Sequence, residues 1–239
     1  MLEYTIVLLT ALFRTSVAGR IGLDTIRGLS TDDFRCLINN GFTFYVGRVW
    51  RSTRNHTNFY DMKGMQSMKN AYEAGFKVYA YISPCLAKRC ALPQNQVEAA
   101  INRLRSDGVK YNMVFLEIKN PRLISTTSPN QFNNRWPSNQ MANRRTINAM
   151  GKKLDKMGVN WGIYTNENDW ESIVGLKFDL WKHKKLWWAF YGNNDGTRKK
   201  HFFTPFAGWT NFYIHQYGGN LKGPCGFALH LNYKVGGSP

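Results

Sequence analysis

Residues 112–119 read Asn112-Met113-Val114-Phe115-Leu116-Glu117-Ile118-Lys119. Four consecutive apolar residues, 113–116, suit a strand buried on both faces of a parallel sheet. Glu117 and Lys119 follow two apart, so in an extended chain they point the same way. An apolar strand ending in such charges is what a β/α barrel presents at its chemical, C-terminal face. Working outward, the same alternation recurs on both sides. Strands are expected at 20–25, 43–50, 76–82, 112–118, 159–164, 186–191, 212–217 and 227–231. Helices are expected from Ser30 or Thr31 to Asn40, and over 58–74, 94–106, 139–156 and 167–174. Repeated β-then-α order argues for a parallel sheet. Eight strands favour an irregular, single-domain TIM-like β/α barrel over an open sheet. Little helix separates the late strands, so closure there should be irregular. The polar stretch 121–138, with three prolines, follows the fourth strand and should lie over the catalytic face.

Composition narrows the function classes. The chain has 239 residues, is 43% hydrophobic and carries a net charge of +17 from 32 Lys+Arg against 15 Asp+Glu. A core of ordinary size is affordable, and collagenous, coiled-coil and polytopic membrane classes are excluded. A basic, aromatic-rich chain favours a partner that is anionic, or flat and hydroxylated, or both. The apolar run 5–13 is too short to span a bilayer. Small residues at Ser16 and Ala18 then fit a signal-peptidase site, giving a signal peptide over 1–18 and a mature, secreted domain over 19–239. An N-terminal strand or helix is the alternative. Four cysteines allow three pairings. Cys85 and Cys90 enclose a short loop that a disulfide closes easily, and Cys36 with Cys225 would then tie the first helix to the last strand. The Asn55-His56-Thr57 triplet is a possible glycosylation acceptor. The five histidines have no metal-ligand spacing, and no cofactor is expected.

Strand ends hold the unusual residues. Asp24 ends the first strand, Tyr81 the third, Glu117 and Lys119 the fourth, Tyr164 the fifth and Gln216 the seventh, while His230 lies late in the eighth. Two carboxylates facing a groove are the minimum for glycoside hydrolysis. Tyr81, Tyr164 and Trp188 would line that groove, with Trp187 facing the other way. Spacing alone favours a structural ion pair between Glu117 and Lys119 at the barrel rim.

The chain resembles the lysozymes of glycoside hydrolase family 25, in particular the secreted nematode type. Gly22-Leu23-Asp24, Phe34-Arg35-Cys36-Leu37, Phe115-Leu116-Glu117-Ile118, Gly162-Ile163-Tyr164-Thr165, Pro205-Phe206-Ala207-Gly208-Trp209, Gln216-Tyr217 and Leu231-Asn232-Tyr233 carry the resemblance. It implies an irregular β/α barrel that cleaves peptidoglycan. It also implies an acidic site: an Asp on strand 1, Asp-x-Glu on strand 4 with the Glu as catalytic acid, and an Asp on strand 8. This chain keeps Asp24, has Glu117-Ile118-Lys119 for the strand-4 pattern, and places His230 at or near the last Asp.

The substitution matters physically. A general acid must hold a proton and reach the leaving oxygen. Lys119, beside Asp24 and Glu117, should stay an ion-paired ammonium and should lower the pKa of Glu117. Muramidase activity is therefore expected to be lost or greatly reduced. Glu167, Asp169 and Glu171 are substitute carboxylates, or simply a solvated helix start. The basic runs 182–185 and 198–201 are either solvated loops or attraction to anionic surfaces. Bacterial peptidoglycan or anionic cell-wall polymers are the expected partners. Nucleic acid is disfavoured, because a secreted chain meets bacterial envelopes first.

Overall fold

The computed structural model describes residues 20–52, 59–120, 134–197 and 203–235. The proposed leader at 1–18, the Asn55 triplet, residues 121–133 of the polar stretch and the basic run 198–201 lie outside them. In chain order the elements are β1 (Arg20–Asp24), α1 (Thr31–Asn39), β2 (Phe42–Arg51), β3 (Phe59–Tyr60), α2 (Met62–Glu73), β4 (Lys77–Ile82) and α3 (Pro93–Ser106). There follow β5 (Val114–Glu117), α4 (Gln140–Lys156), β6 (Trp161–Thr165), α5 (Glu167–Val174), β7 (Lys185–Ala189), β8 (Ile214–Lys222) and β9 (Ala228–Lys234).

The sheet runs β1-β9-β8-β7-β6-β5-β4-β2, and β1 pairs again with β2, which closes an eight-stranded barrel. From β1 through β8 neighbouring barrel strands are parallel. The last strand departs from the expected order. β9 is antiparallel to both β8 and β1, because a short turn rather than a helix joins it to β8. Its beginning, not its end, therefore reaches the C-terminal face. His230 is the third residue of β9 and lies opposite Asp24, rather than late in a parallel strand.

A second correction concerns 58–74. Phe59-Tyr60 pairs antiparallel with Trp50 and Arg51 as β3, and the helix starts only at Met62. Asp61 sets that start: its carboxylate accepts the Gly64 N–H at 3.2 Å as an N-cap. α1 begins where its Ser-x-x-Asp pattern indicates, with Ser30 and Asp33 bonding reciprocally across the first turn.

Strand alternation makes two cores. Outward-facing Leu23, Tyr45, Val78, Leu116, Ile163 and Leu186 meet the helices. Inward-facing Phe44, Val46, Tyr79, Phe115, Trp187 and Ile214 fill the barrel. Large rings fit inside because glycines face them. A Cβ on Gly22 would lie 2.5 Å from the Phe44 ring, and one on Gly162 would lie 2.8 Å from Phe115 and 2.4 Å from the Lys185 carbonyl oxygen. The barrel is thus a packed core, and any site must sit above it. Cys36–Cys225 ties α1 to the turn entering β9, and Cys85–Cys90 closes the loop after β4. Among the described residues, no helix is long and apolar enough to cross a membrane.

Candidate active site

A cleft of about 700 Å³ opens at the C-terminal ends of the strands. Arg48, Tyr81, Glu117, Lys119, Tyr164 and His230 line its floor, and Leu86, Asn134, Arg135, Trp136 and Asp169 belong to its walls. Asp24 lies just beneath, only 5% exposed. Asp24, Tyr81, Glu117, Tyr164 and His230 arrive on barrel strands, so the barrel brings together residues more than 200 positions apart.

Asp24 is held by a polar network of short, well-defined bonds. Its Oδ1 accepts the amide N–H groups of Gln216 at 2.7 Å and Asn232 at 2.6 Å. Its Oδ2 stands 3.5 Å from Nδ1 of His230. Gln216 Oε1 accepts the Tyr164 hydroxyl at 2.7 Å and also that of Tyr191. Asn232 Oδ1 accepts the Trp187 indole N–H at 2.8 Å. Both amides are fully buried. Gln216 is therefore a positioning residue beneath the cleft and does not line it.

Glu117 sits across from Tyr164 in the β5–β6 register. Burial pushes its carboxyl pKa up from the ordinary value. The Ser83 hydroxyl, Lys119 and Arg48 pull the other way, and Asp24 adds to the rise. This reverses the direction expected from sequence. Lys119 does favour the ionised form, but desolvation outweighs it. Lys119 donates to the Tyr164 hydroxyl at 3.1 Å, and its Nζ lies 4.4 Å from the centre of that ring. A cation–π contact of this kind positions the ammonium over the cleft floor. Arg48 donates from Nε to Asp61 at 2.7 Å, which fixes its guanidinium in place beside the cleft.

The aromatic reading is half corrected. Tyr81 and Tyr164 face the barrel interior and reach the cleft, as expected. Trp188 does not. It faces the outer layer, stacked on Phe190, Phe212 and His215. Trp187 faces inward instead and stacks on Tyr164 at 3.8 Å. The two indoles alternate as adjacent strand residues must, but with the opposite phase. Of the substitute carboxylates, only Asp169 lines the cleft. It accepts the Asn120 backbone N–H at 3.1 Å and the Asn166 side-chain amide at 2.7 Å. Sequence reading missed Arg48 and Asn232. The alternation Phe44-x-Val46-x-Arg48 was a signal for the first, because it carries an apolar inward face up to a charge.

Chemically, the cleft offers one desolvated carboxyl and an ammonium near two tyrosine rings, above the buried Asp24. Among the described residues, no group of three or more His, Cys, Asp or Glu side chains could hold a metal.

The comparisons with known proteins agree with this architecture. A family model described as Lysozyme-like protein 1 matches residues 15–217. Lysozyme-like protein 5 of Caenorhabditis elegans is 35% identical over 217 residues, covering 90% of this chain and 92% of that protein. Probable GH family 25 lysozyme 4 of Dictyostelium discoideum is 30% identical, covering 89% of each. The spore cortex lytic enzyme SleM of Clostridium perfringens superposes with a TM-score of 0.65 at 19% identity, over 92% of this chain and 68% of that one. Fold, site position and relatives together establish that the chain belongs to the lysozyme-like proteins of glycoside hydrolase family 25.

Proposed function

We propose that this chain is a secreted lysozyme-like protein that holds bacterial peptidoglycan in the barrel cleft and has lost most of its hydrolytic activity. The observation that carries the reading is the ammonium of Lys119 over the Tyr164 ring, where the family resemblance expects a protonated carboxyl. An ammonium held this way is a poor proton donor at neutral pH. It also opposes the positive charge of an oxocarbenium-like transition state. Loss of a positioned general acid costs about a hundredfold to ten-thousandfold in rate. Tyr81, Tyr164 and Trp136 line the cleft that would take the glycan. Net charge of +17 draws the chain to anionic wall polymers over a distance set by salt.

The test is turbidity loss of purified peptidoglycan beside a pull-down on the same walls. Retention without clearing is expected. Restoring the acidic set with Glu117→Asp, Lys119→Glu and His230→Asp should then gain clearing. Clearing by the unaltered chain at the rate of an ordinary lysozyme would sink the reading.

A second reading rests on the raised pKa of Glu117. A carboxyl that keeps its proton above the usual range is a candidate acid. Residual hydrolysis through Glu117 would grow as pH falls and would vanish in Glu117→Gln.

A further inference from the structure

Among the described residues, Arg48, Lys119 and Arg135 line the cleft as cations, against the carboxyls of Glu117 and Asp169. Asp169 is met by neutral donors, the Asn120 backbone N–H and the Asn166 amide. Burial shifts Glu117 towards its neutral form. The balance of charge facing a ligand is therefore positive.

Arg48 is held from two sides. Asp61 Oδ2 accepts its Nε–H at 2.7 Å, while Oδ1 of the same carboxylate caps α2 at Gly64. The helix also abuts the Arg48 main chain, since a Cβ on Gly64 would lie 1.9 Å from the Arg48 carbonyl oxygen. A ligand therefore has little freedom to remove from this side chain on binding. Asp61 does not use up the charge. Arg51 Nε stands 3.7 Å from the same Oδ2, so two guanidiniums share one carboxylate. A guanidinium also has several N–H donors in one plane, and the bond to Asp61 engages only the Nε–H of Arg48. Ser52, just past the end of β2, lines the same cleft. Its hydroxyl is buried and has no hydrogen-bond partner among the described residues. A buried hydroxyl left in that state is a donor suited to an acceptor that the ligand brings.

We propose that the cleft prefers wall glycan whose sugars carry free carboxylates over the same glycan with those groups amide-linked, and that Arg48 and Lys119 set the preference. The inference rests on the reading that the cleft holds a glycan, and it names which form. A neutral strand lying in the cleft would strip water from both cations and return no charge to them. A carboxylate returns it, and its two coplanar oxygens match the edge of a guanidinium. Lys119, over the Tyr164 ring, adds a compact positive charge on the cleft floor. Glu117 is close enough to act electrostatically with both cations. A singly charged group therefore fits better than a doubly charged phosphate, which Glu117 would repel more strongly.

The experiment is calorimetric titration of the full chain with two preparations of soluble wall glycan strands, both stripped of stem peptides and matched in length. One keeps its lactyl carboxylates, and in the other they are converted to primary amides. The free-carboxylate strands should bind about tenfold tighter, the scale of one charged hydrogen bond. Lys119→Met, which leaves the Arg48–Asp61 contact intact, should cut that ratio severalfold. Arg48→Gln, which keeps a donor for Asp61, should do the same, and the two together should bring the ratio to about one. Lys222→Gln removes a charge from an exposed position outside the cleft and should change the ratio by less than about twofold. Equal binding of the two preparations by the unaltered chain would overturn the proposal and leave the reading of the cleft standing. A ratio that survives the double variant would overturn it too, as would an equal loss in Lys222→Gln, which would mean diffuse charge. Binding of neither preparation would overturn the reading of the cleft and this inference with it.

Discussion

Asp24 and Glu117 are the same chemistry in two settings. Both are carboxylates at strand ends of one barrel, yet they are managed in opposite ways. Asp24 is only 5% exposed, but two amide donors meet a single oxygen and satisfy it. Glu117 lines the cleft, and burial of its carboxyl outweighs the Ser83, Lys119 and Arg48 contacts that favour its charge. At Glu117 the cost of removing water is larger than what the nearby donor and cations return. One carboxyl is met by two amide donors, and burial leaves the other easier to protonate.

The largest expected effect breaks the Asp24 side. Asn232→Ala removes a donor from Asp24 and orphans the Trp187 indole N–H. It should cost about 3 kcal/mol or more, read from urea unfolding. A loss under about 1 kcal/mol would show that the network does not hold Asp24. Gly22→Ala comes next. It forces a Cβ to within 2.5 Å of the Phe44 ring directly below the Asp24 end of the barrel, at about 1–3 kcal/mol. Unchanged stability would mean that the ring moves freely, which a packed interior forbids.

Glu117→Gln should have a smaller effect and the opposite sign. The folded pKa of Glu117 is raised, so folding favours its protonated form. Its contribution is thus least unfavourable below the unfolded pKa and becomes a penalty as pH rises through the folded value. The Gln variant should gain stability at pH 7, and the gain should shrink towards acid pH. A gain that grows on acidification would reverse the assignment of Glu117. The smallest effect concerns Lys119→Met. Removing a cation that favours the ionised form should move the Glu117 titration further up, followed by carboxyl infrared absorption. No movement would mean that the ammonium is too well screened to act on Glu117.

Much of this architecture is legible in the chain. Apolar runs followed by helical periodicity locate most barrel strands and all five helices, and polar residues at strand ends point to Asp24, Tyr81, Glu117, Lys119 and Tyr164. The failures share one cause. Choosing Trp188 over Trp187 needed the phase of β7 against its neighbours, and adjacent apolar residues carry no phase of their own. The position of His230 needed the direction of β9, which depends on the turn after β8. The helix over 58–74 began late because Phe59-Tyr60 found a pairing partner ten residues away at Trp50. Asn232 looks like an ordinary strand polar until the barrel closes around Asp24.

By itself, then, the sequence determined the alternating β/α plan, the cysteines available for bridging, the basic balance and the presence of Lys119 two residues after Glu117. These follow from side-chain type and local period, which act within one or two turns of chain. Only the tertiary structure decided which ring faces inward, which end of β9 meets Asp24, and whether Glu117 is pushed up or down. Those outcomes depend on burial and on partners distant in sequence. Removing water from a carboxyl is a property of everything packed around it, and no single segment contains that information.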